Sequence, residues 1–529
     1  MARVVKNTGL LLVAVMALSF AACSKGASSK KPEGPNYLKI GGLLDSAMNL
    51  DPITSTYNTV FEIDGAIFNQ LIQPDPVTME LKPYLIEAFP DVNADGTVFT
   101  FHLKKGVKFH DGNELTSKDV EFTFNRFFDP KWNNLNMWMA DFILGAQDMM
   151  DGKVSSLAGF KVIDNYSFSI QLEYPFTAFL AVLAVTPLSI MPKDACEKAG
   201  DRWGIDTIIG TGQYKVKSFN PGVELIVERF DDYWGTKARL DGIKWNHMLV
   251  ETQLLEWEAG TIDICGVDVS LVDGYLAKYP NNVVEQEYVG THWLIFNFDI
   301  PPLNDVRVRE AVGLATNVDA ICKDYFKGHV RQAKGVIPPG IVGYDPARPV
   351  REYNLEKAKQ LLAEAGYPNG ISIEATARET STTWVDIFQI LQEQYKLANI
   401  RLSIDLLDAA GNTEKRTTGH NQFYMLSWYA DFLDPDNFLF TVYHSGTATF
   451  FSTGFRDKYF DDQLAKGRTL PLSEKQKFYS ELESYLLNEK IAAWPLYTPT
   501  GYILRSDRVK DVYVKQDFLY TFEVGSLVK

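Results

Sequence analysis

The period of the hydrophobic pattern changes along this chain, and each change marks an element. After the turn signal Asp95-Gly96, residues 98–103 set Phe99, Phe101 and Leu103 against Thr100 and His102, the two-residue period of a half-buried strand. Thr116 followed by Asp119 has the form of a capping box and predicts a helix running to about Phe128. Gly210-Thr211-Gly212 turns the chain into 214–219 and 224–229, a predicted hairpin across Asn220-Pro221-Gly222. In the second half the period lengthens. Asn354 is placed as an N-cap, Leu355, Ala358, Leu361, Leu362 and Ala365 share one helical face, and Gly366 and Pro368 end it. A strand over 371–377, a helix over 383–397 and a strand over 400–407 then make a βαβ unit, with parallel strands and a right-handed crossover. Residues 422–429 (QFYMLSWY) are almost continuously apolar, as a strand covered on both faces must be. No repeat of 20–50 residues is present, which excludes solenoids and propellers.

The amino terminus has a different character. Arg3 and Lys6 precede an apolar run over 9–22. That run is shorter than the roughly 20 apolar residues a membrane span needs, and has the size of a signal-peptide core. It ends in Leu18-Ser19-Phe20-Ala21-Ala22-Cys23, which resembles the bacterial lipoprotein box, with Cys23 as the lipidated first residue of the mature chain. Phe20 stands where leucine is more usual, and an ordinary secretory signal is the alternative. Residues 24–35 (SKGASSKKPEGP) read as a flexible tether. The apolar stretch 177–191 contains Thr186 and Pro187 and reads as core, not as a membrane span.

At 529 residues the chain exceeds one hydrophobic core, so two or more lobes are expected. Its net charge of −15, from 52 Lys+Arg against 67 Asp+Glu, becomes −17 once 1–22 are removed, and argues against nucleic acid as a partner. Of the four cysteines, Cys196, Cys265 and Cys322 lie beyond the leader, which allows one disulfide or three free thiols.

The motifs of common enzymes are missing: no GxSxG, Walker A, HExxH or CxxC occurs, and the seven histidines lack metal-ligand spacing. Asp431 and Asp434 are the one pair conceivable as a general acid and base, although Asp434-Pro435 reads as a turn. Two charged residues stand where open α/β sheets collect ligands, at the carboxyl ends of strands. Arg378 ends the 371 strand, and Asp431 follows the 422 strand in Trp428-Tyr429-Ala430-Asp431. Together they suit the two ends of a zwitterion.

Ordered blocks along the chain resemble the family-5 extracellular solute-binding proteins of ABC importers, the oligopeptide- and dipeptide-binding group. They are Leu50-Asp51-Pro52, 82–112 (KPYLIEAFPDVNADGTVFTFHLKKGVKFHDG), 115–122, 210–234 (GTGQYKVKSFNPGVELIVERFDDYW), 258–263, 305–315 (DVRVREAVGLA), 337–345, 357–367 (KAKQLLAEAGY) and 428–438 (WYADFLDPDNF). The resemblance implies an α/β, two-lobed clamp with ligand between the lobes and a subdomain inserted in the first. By analogy, 1–22 is the signal and 23–35 the tether. The first lobe is 36–74, 206–290 and 499–529, the insert 75–205, and the second lobe 291–498. It further implies a monomer without cofactor or catalysis. Such a protein is exported and lipid-anchored at the outer face of the cytoplasmic membrane or in the periplasm, and delivers short peptides to a membrane permease. In peptide-binding members the aspartate of W-x-(A/G)-D holds the ligand's α-ammonium, here Asp431, flanked by Trp428, Tyr429 and Ala430. Dipeptide-type members hold the α-carboxylate with an arginine, to which Arg378 corresponds. Tyr57, Asn58 and the segment Asn136 to Trp138 are further lining candidates. Oligopeptide-type members carry cysteine where this chain has Tyr429. Alternatives are a nickel chelate or haem, with His444 as the residue to watch, another solute such as a sugar, and a surface hydrolase using Asp431.

Overall fold

In a computed structural model of the protein, the residues described are 35–42, 44, 47–54, 58–75, 78–512, 522 and 525–528. The leader, Cys23 and Tyr57 lie outside them. Two large mixed sheets organise the chain. The first has seven strands, in the order Val283–Glu287, Thr500–Arg505, Ile264–Gly266, Tyr37–Gly42, Gly242–His247, Glu224–Arg229 and Tyr214–Asn220. The second has six, in the order Arg331–Gln332, Ala493–Thr498, Gly290–Phe296, Phe423–Tyr429, Ile371–Arg378 and Ile400–Leu407. The chain passes between these sheets twice, at Tyr288-Val289 and at Pro499. A four-stranded antiparallel sheet, ordered Asp91–Val92, Val98–His102, Ser167–Gln171 and Phe160–Asp164, is built from a segment between two strands of the seven-stranded sheet.

Local chemistry explains the elements. Asp119 accepts from the Thr116 backbone N–H at 2.9 Å, closing the capping box at the start of helix Ser117–Phe128. Asn354 accepts from the Lys357 N–H at 3.0 Å and starts Leu355–Glu364, and Gly366 beyond its end takes φ +95°. The βαβ unit is present. Ile371–Arg378 pairs in parallel with Ile400–Leu407 in unbroken register, and the crossover helix is Thr382–Lys396, one residue earlier than the pattern predicts. Phe423–Tyr429 is covered on both faces. Phe423 and Met425 enter one core with Leu294 and Phe296, while Tyr424 and Leu426 enter another with Trp293 and Ile295. Cys196, Cys265 and Cys322 are buried free thiols, so the disulfide alternative is not realised.

Gly210-Thr211-Gly212, which introduces the hairpin, also seats a helix. The Gly212 N–H donates to the Ile67 carbonyl at 2.8 Å, at the end of helix Asn58–Ile67. A Cβ on Gly210 would lie 2.1 Å from the Ile67 oxygen, and one on Gly212 2.5 Å from the same oxygen. Both contacts are with backbone, which cannot swing aside. Gly212→Ala is therefore expected to destabilise the protein by about 1–3 kcal/mol, read as a lowered denaturant midpoint.

Candidate ligand-binding cleft

The parallel pairing that makes the second sheet also aims its candidate residues. The strands Phe423–Tyr429 and Ile371–Arg378 are adjacent and parallel, so their carboxyl ends share one edge, together with the start of Gly290–Phe296. That edge faces the two chain crossings to the seven-stranded sheet. The Ala430 N–H donates to the carbonyl of Val289, in the first crossing, at 2.9 Å.

Asp431 is held by one residue that sequence reasoning passed over. The side chain of Asn437, fully buried, accepts from the Asp431 N–H at 3.0 Å and from the Trp428 indole N–H at 3.1 Å. Its amide nitrogen donates to Asp431 Oδ2 at 3.0 Å. One asparagine thus sets the orientation of both Trp428 and Asp431. No cation is paired with Asp431 among the described residues. Asp431 is half-buried, and desolvation by the surrounding protein raises its pKa to about 6, opposed by the Asn437 hydrogen bond.

Trp138, from the segment that carries the four-stranded sheet, reaches Trp428 with ring centroids 6.2 Å apart, so these two candidates meet. Asn136 instead donates to the Ile53 carbonyl at 3.2 Å and is buried. Asn58 opens helix Asn58–Ile67. Arg378 does end its strand, exposed, and its guanidinium makes no ion pair or hydrogen bond among the described residues. The register Ala375↔Phe423 sets Arg378 level with Leu426, three positions or about 10 Å short of Tyr429.

Several residues packed around Tyr429 gave no sequence signal. Tyr429 lies 3.2 Å from His292 Nε2, and the His292 ring stacks on Tyr497 at 4.4 Å with Trp384 edge-on at 6.5 Å. Burial lowers the His292 pKa to about 3, so it is neutral at physiological pH. Tyr288, in the first crossing, packs edge-on to Tyr429 at 6.1 Å. These aromatics come from separate strands, a helix and the first crossing, and only the tertiary structure brings them together.

The paired-acid reading fails on geometry. Asp434 is 5% exposed and ion-paired with Lys475, so it cannot share a reaction centre with Asp431. His444 is occupied locally: its Nδ1 accepts from the Gly446 N–H at 3.1 Å, and its ring stacks on Phe440 at 4.4 Å. Among the described residues no group of three His, Cys, Asp or Glu side chains is placed to hold a metal, and no helix is long and apolar enough to cross a membrane.

Comparison with known proteins gives a consistent result. The signature of the bacterial extracellular solute-binding proteins, family 5, matches residues 80–450. The dipeptide-binding protein of Escherichia coli K12 is 28% identical over 462 residues, covering 82% of this chain and 81% of that one. The glutathione-binding protein GsiB of the same strain is 26% identical over 543 residues, covering all of both. Among solved structures, the ABC transporter-associated periplasmic binding protein DppA from Helicobacter pylori, in complex with the peptide STSA, superposes with a TM-score of 0.79. It shares 26% identity and covers 93% of this chain and 98% of its own. The murein tripeptide binding protein MppA of E. coli, 22% identical over 94% of this chain and 99% of its own, has the same two-lobed α/β fold at a TM-score of 0.80. The chain therefore belongs to the bacterial extracellular solute-binding proteins of family 5, and it binds its solute without converting it.

Proposed function

We propose that this protein is the peptide receptor of an ABC importer, taking short peptides into the cleft between its lobes and delivering them to a membrane permease. The observation that carries this reading is Asp431, an uncompensated carboxyl oriented by Asn437 at the cleft edge. A peptide α-ammonium supplies the missing charge, and losing one partner of such a desolvated pair costs roughly 2–5 kcal/mol. In this reading Trp428, Tyr429, Ala430 and Trp138 line the same place, and Tyr57 and Asn58 are further lining candidates. Relatives named for a dipeptide and for glutathione support a small peptide-like ligand.

In this reading the first lobe comprises 36–74, 206–290 and 499–529, the insert 75–205 and the second lobe 291–498. Closure is a hinge motion about the two crossings. Residues 1–22 direct export, Cys23 carries lipid and 23–35 tether a monomer to the membrane, where the permease meets it. Arg378 receives the ligand's α-carboxylate. Its offset from Asp431 along the sheet edge leaves room for a ligand of few residues. Native mass spectrometry of freshly purified protein is expected to show a retained peptide, and calorimetry micromolar or tighter binding of dipeptides or tripeptides. No binding across such a panel would overturn the assignment. Arg378→Gln is expected to weaken a free-carboxylate peptide at least tenfold while leaving its C-terminally amidated analogue little changed. Equal losses for both would remove Arg378 from the site.

A further inference from the structure

Most buried carboxylates in this molecule have a cation. Asp51 pairs with Arg126, Asp434 with Lys475, Asp436 with Arg468 and Glu483 with Arg348. Among the described residues, Asp64, Asp431 and Glu62 are burial-shifted acids with no ion pair. Asp64 is fully buried and closed to any ligand. Asp431 and Glu62 differ from it, because each is only half-buried.

Glu62 lies on the partly exposed side of helix Asn58–Ile67, with Phe61 and Gly65, opposite the buried Val60, Ile63 and Ile67. The buried Trp245 indole N–H donates to Glu62 Oε1 at 2.7 Å, orienting the carboxyl. Oε2 takes no hydrogen bond among the described residues. Glu62 lies within electrostatic reach of the Tyr288 hydroxyl, and Tyr288 packs against Tyr429, two residues before Asp431. Glu62, beside the first sheet, is thus linked through Tyr288 to the Asp431 edge of the second, by electrostatics in the first step and by ring packing in the second.

We propose that Glu62 is a second cation receptor of the cleft, and that the preferred ligand is a peptide carrying a basic side chain besides its α-ammonium group. The proposal rests on the peptide reading above. An ammonium or guanidinium gives the oriented carboxyl the counter-charge the protein withholds, whereas an acidic or apolar side chain would leave the acid unpaired. Burial holds the Glu62 pKa at about 8, so at pH 7 the free protein carries a proton there that a bound cation displaces.

The test uses matched dipeptides in which lysine is replaced by norleucine, at the first or the second position, with wild type and Glu62→Gln. Wild type is expected to favour lysine at one of the two positions by at least about tenfold. Calorimetry at pH 7, in two buffers of different ionisation enthalpy, is expected to show nearly one proton released for the lysine peptide and much less for norleucine. In Glu62→Gln, whose amide can still accept from Trp245, the preference and the extra proton release should both disappear. Equal wild-type affinities for lysine and norleucine at both positions, or a preference that survives in Glu62→Gln, would overturn the proposal. The wild-type comparison decides even if the variant folds poorly. If norleucine peptides bind but lysine gains nothing, only Glu62 is wrong. If neither binds, the peptide reading falls and takes this inference with it.

Discussion

Asp431→Asn is expected to reduce peptide affinity by at least about a hundredfold at pH 7.5 and, at the same time, to make the ligand-free protein more stable. Both effects follow from one desolvated carboxyl. The ordinary aspartate pKa of 3.8 rises to about 6 in the folded chain, so folding favours the protonated form. The stability this acid contributes is present below about pH 4 and is lost as pH rises through 6. At neutral pH the ionised group therefore costs the folded state about 3 kcal/mol, which asparagine avoids while still accepting from Asn437. The same sign argument applies to ligand binding. An ammonium binds the ionised form, so below about pH 8, where the peptide's own α-amino group is still protonated, affinity in wild type should be level near pH 7 and fall towards tenfold per pH unit below 6. In Asp431→Asn that dependence should be gone. Calorimetry across pH and denaturant unfolding of both proteins measure the two effects. A variant that binds peptide like wild type would exclude Asp431 as the ammonium receptor.

Arg468→Met is expected to lower the unfolding free energy by about 3–5 kcal/mol, a second large effect with a different origin. Arg468 donates from Nε and Nη2 to both carboxylate oxygens of Asp436, at 2.8 Å each, and lies 3.4 Å over the Phe440 ring. Its third nitrogen reaches the Tyr174 hydroxyl, and its carbonyl accepts from the Thr177 N–H at 3.0 Å. Tyr174 and Thr177 follow strand Ser167–Gln171 of the four-stranded sheet, whereas Asp436 and Phe440 belong to helix Asp436–Tyr443 beside Asp431. Methionine preserves much of the packing but leaves Asp436 buried without a partner. It also removes the cation that offsets the burial of Asp141, whose pKa is already raised to about 6. Asp436→Asn combined with Arg468→Met should recover part of the loss, because Asp436 is then no longer a buried unpaired charge. A single variant within 1 kcal/mol of wild type would show that this joint is not structural.

Local sequence determined much of the scaffold. The alternation of Phe99 and Phe101, the Thr116-Asp119 box, the Asn354 cap and the strand–helix–strand run from 371 to 407 are settled between near neighbours, through backbone hydrogen bonds and facial burial. The ordered blocks from Leu50 to Phe438 were enough for family membership, and the WYAD run pointed to Asp431. The environment that gives these residues their chemistry was set at longer range. His292, Trp384, Tyr288 and Tyr497 come from four separate segments and carry no pattern that distinguishes them from core aromatics. Asn437 takes its role from a turn that returns its amide to Asp431. Desolvation depends on everything that surrounds a carboxyl, and pairing depends on which cation the fold brings near. Asp434 and Asp431, three residues apart, therefore differ completely: one is neutralised by Lys475 and the other stands open. Helix periodicity sets the side of the chain on which Glu62 projects, but only tertiary packing brings the Trp245 indole to its carboxyl.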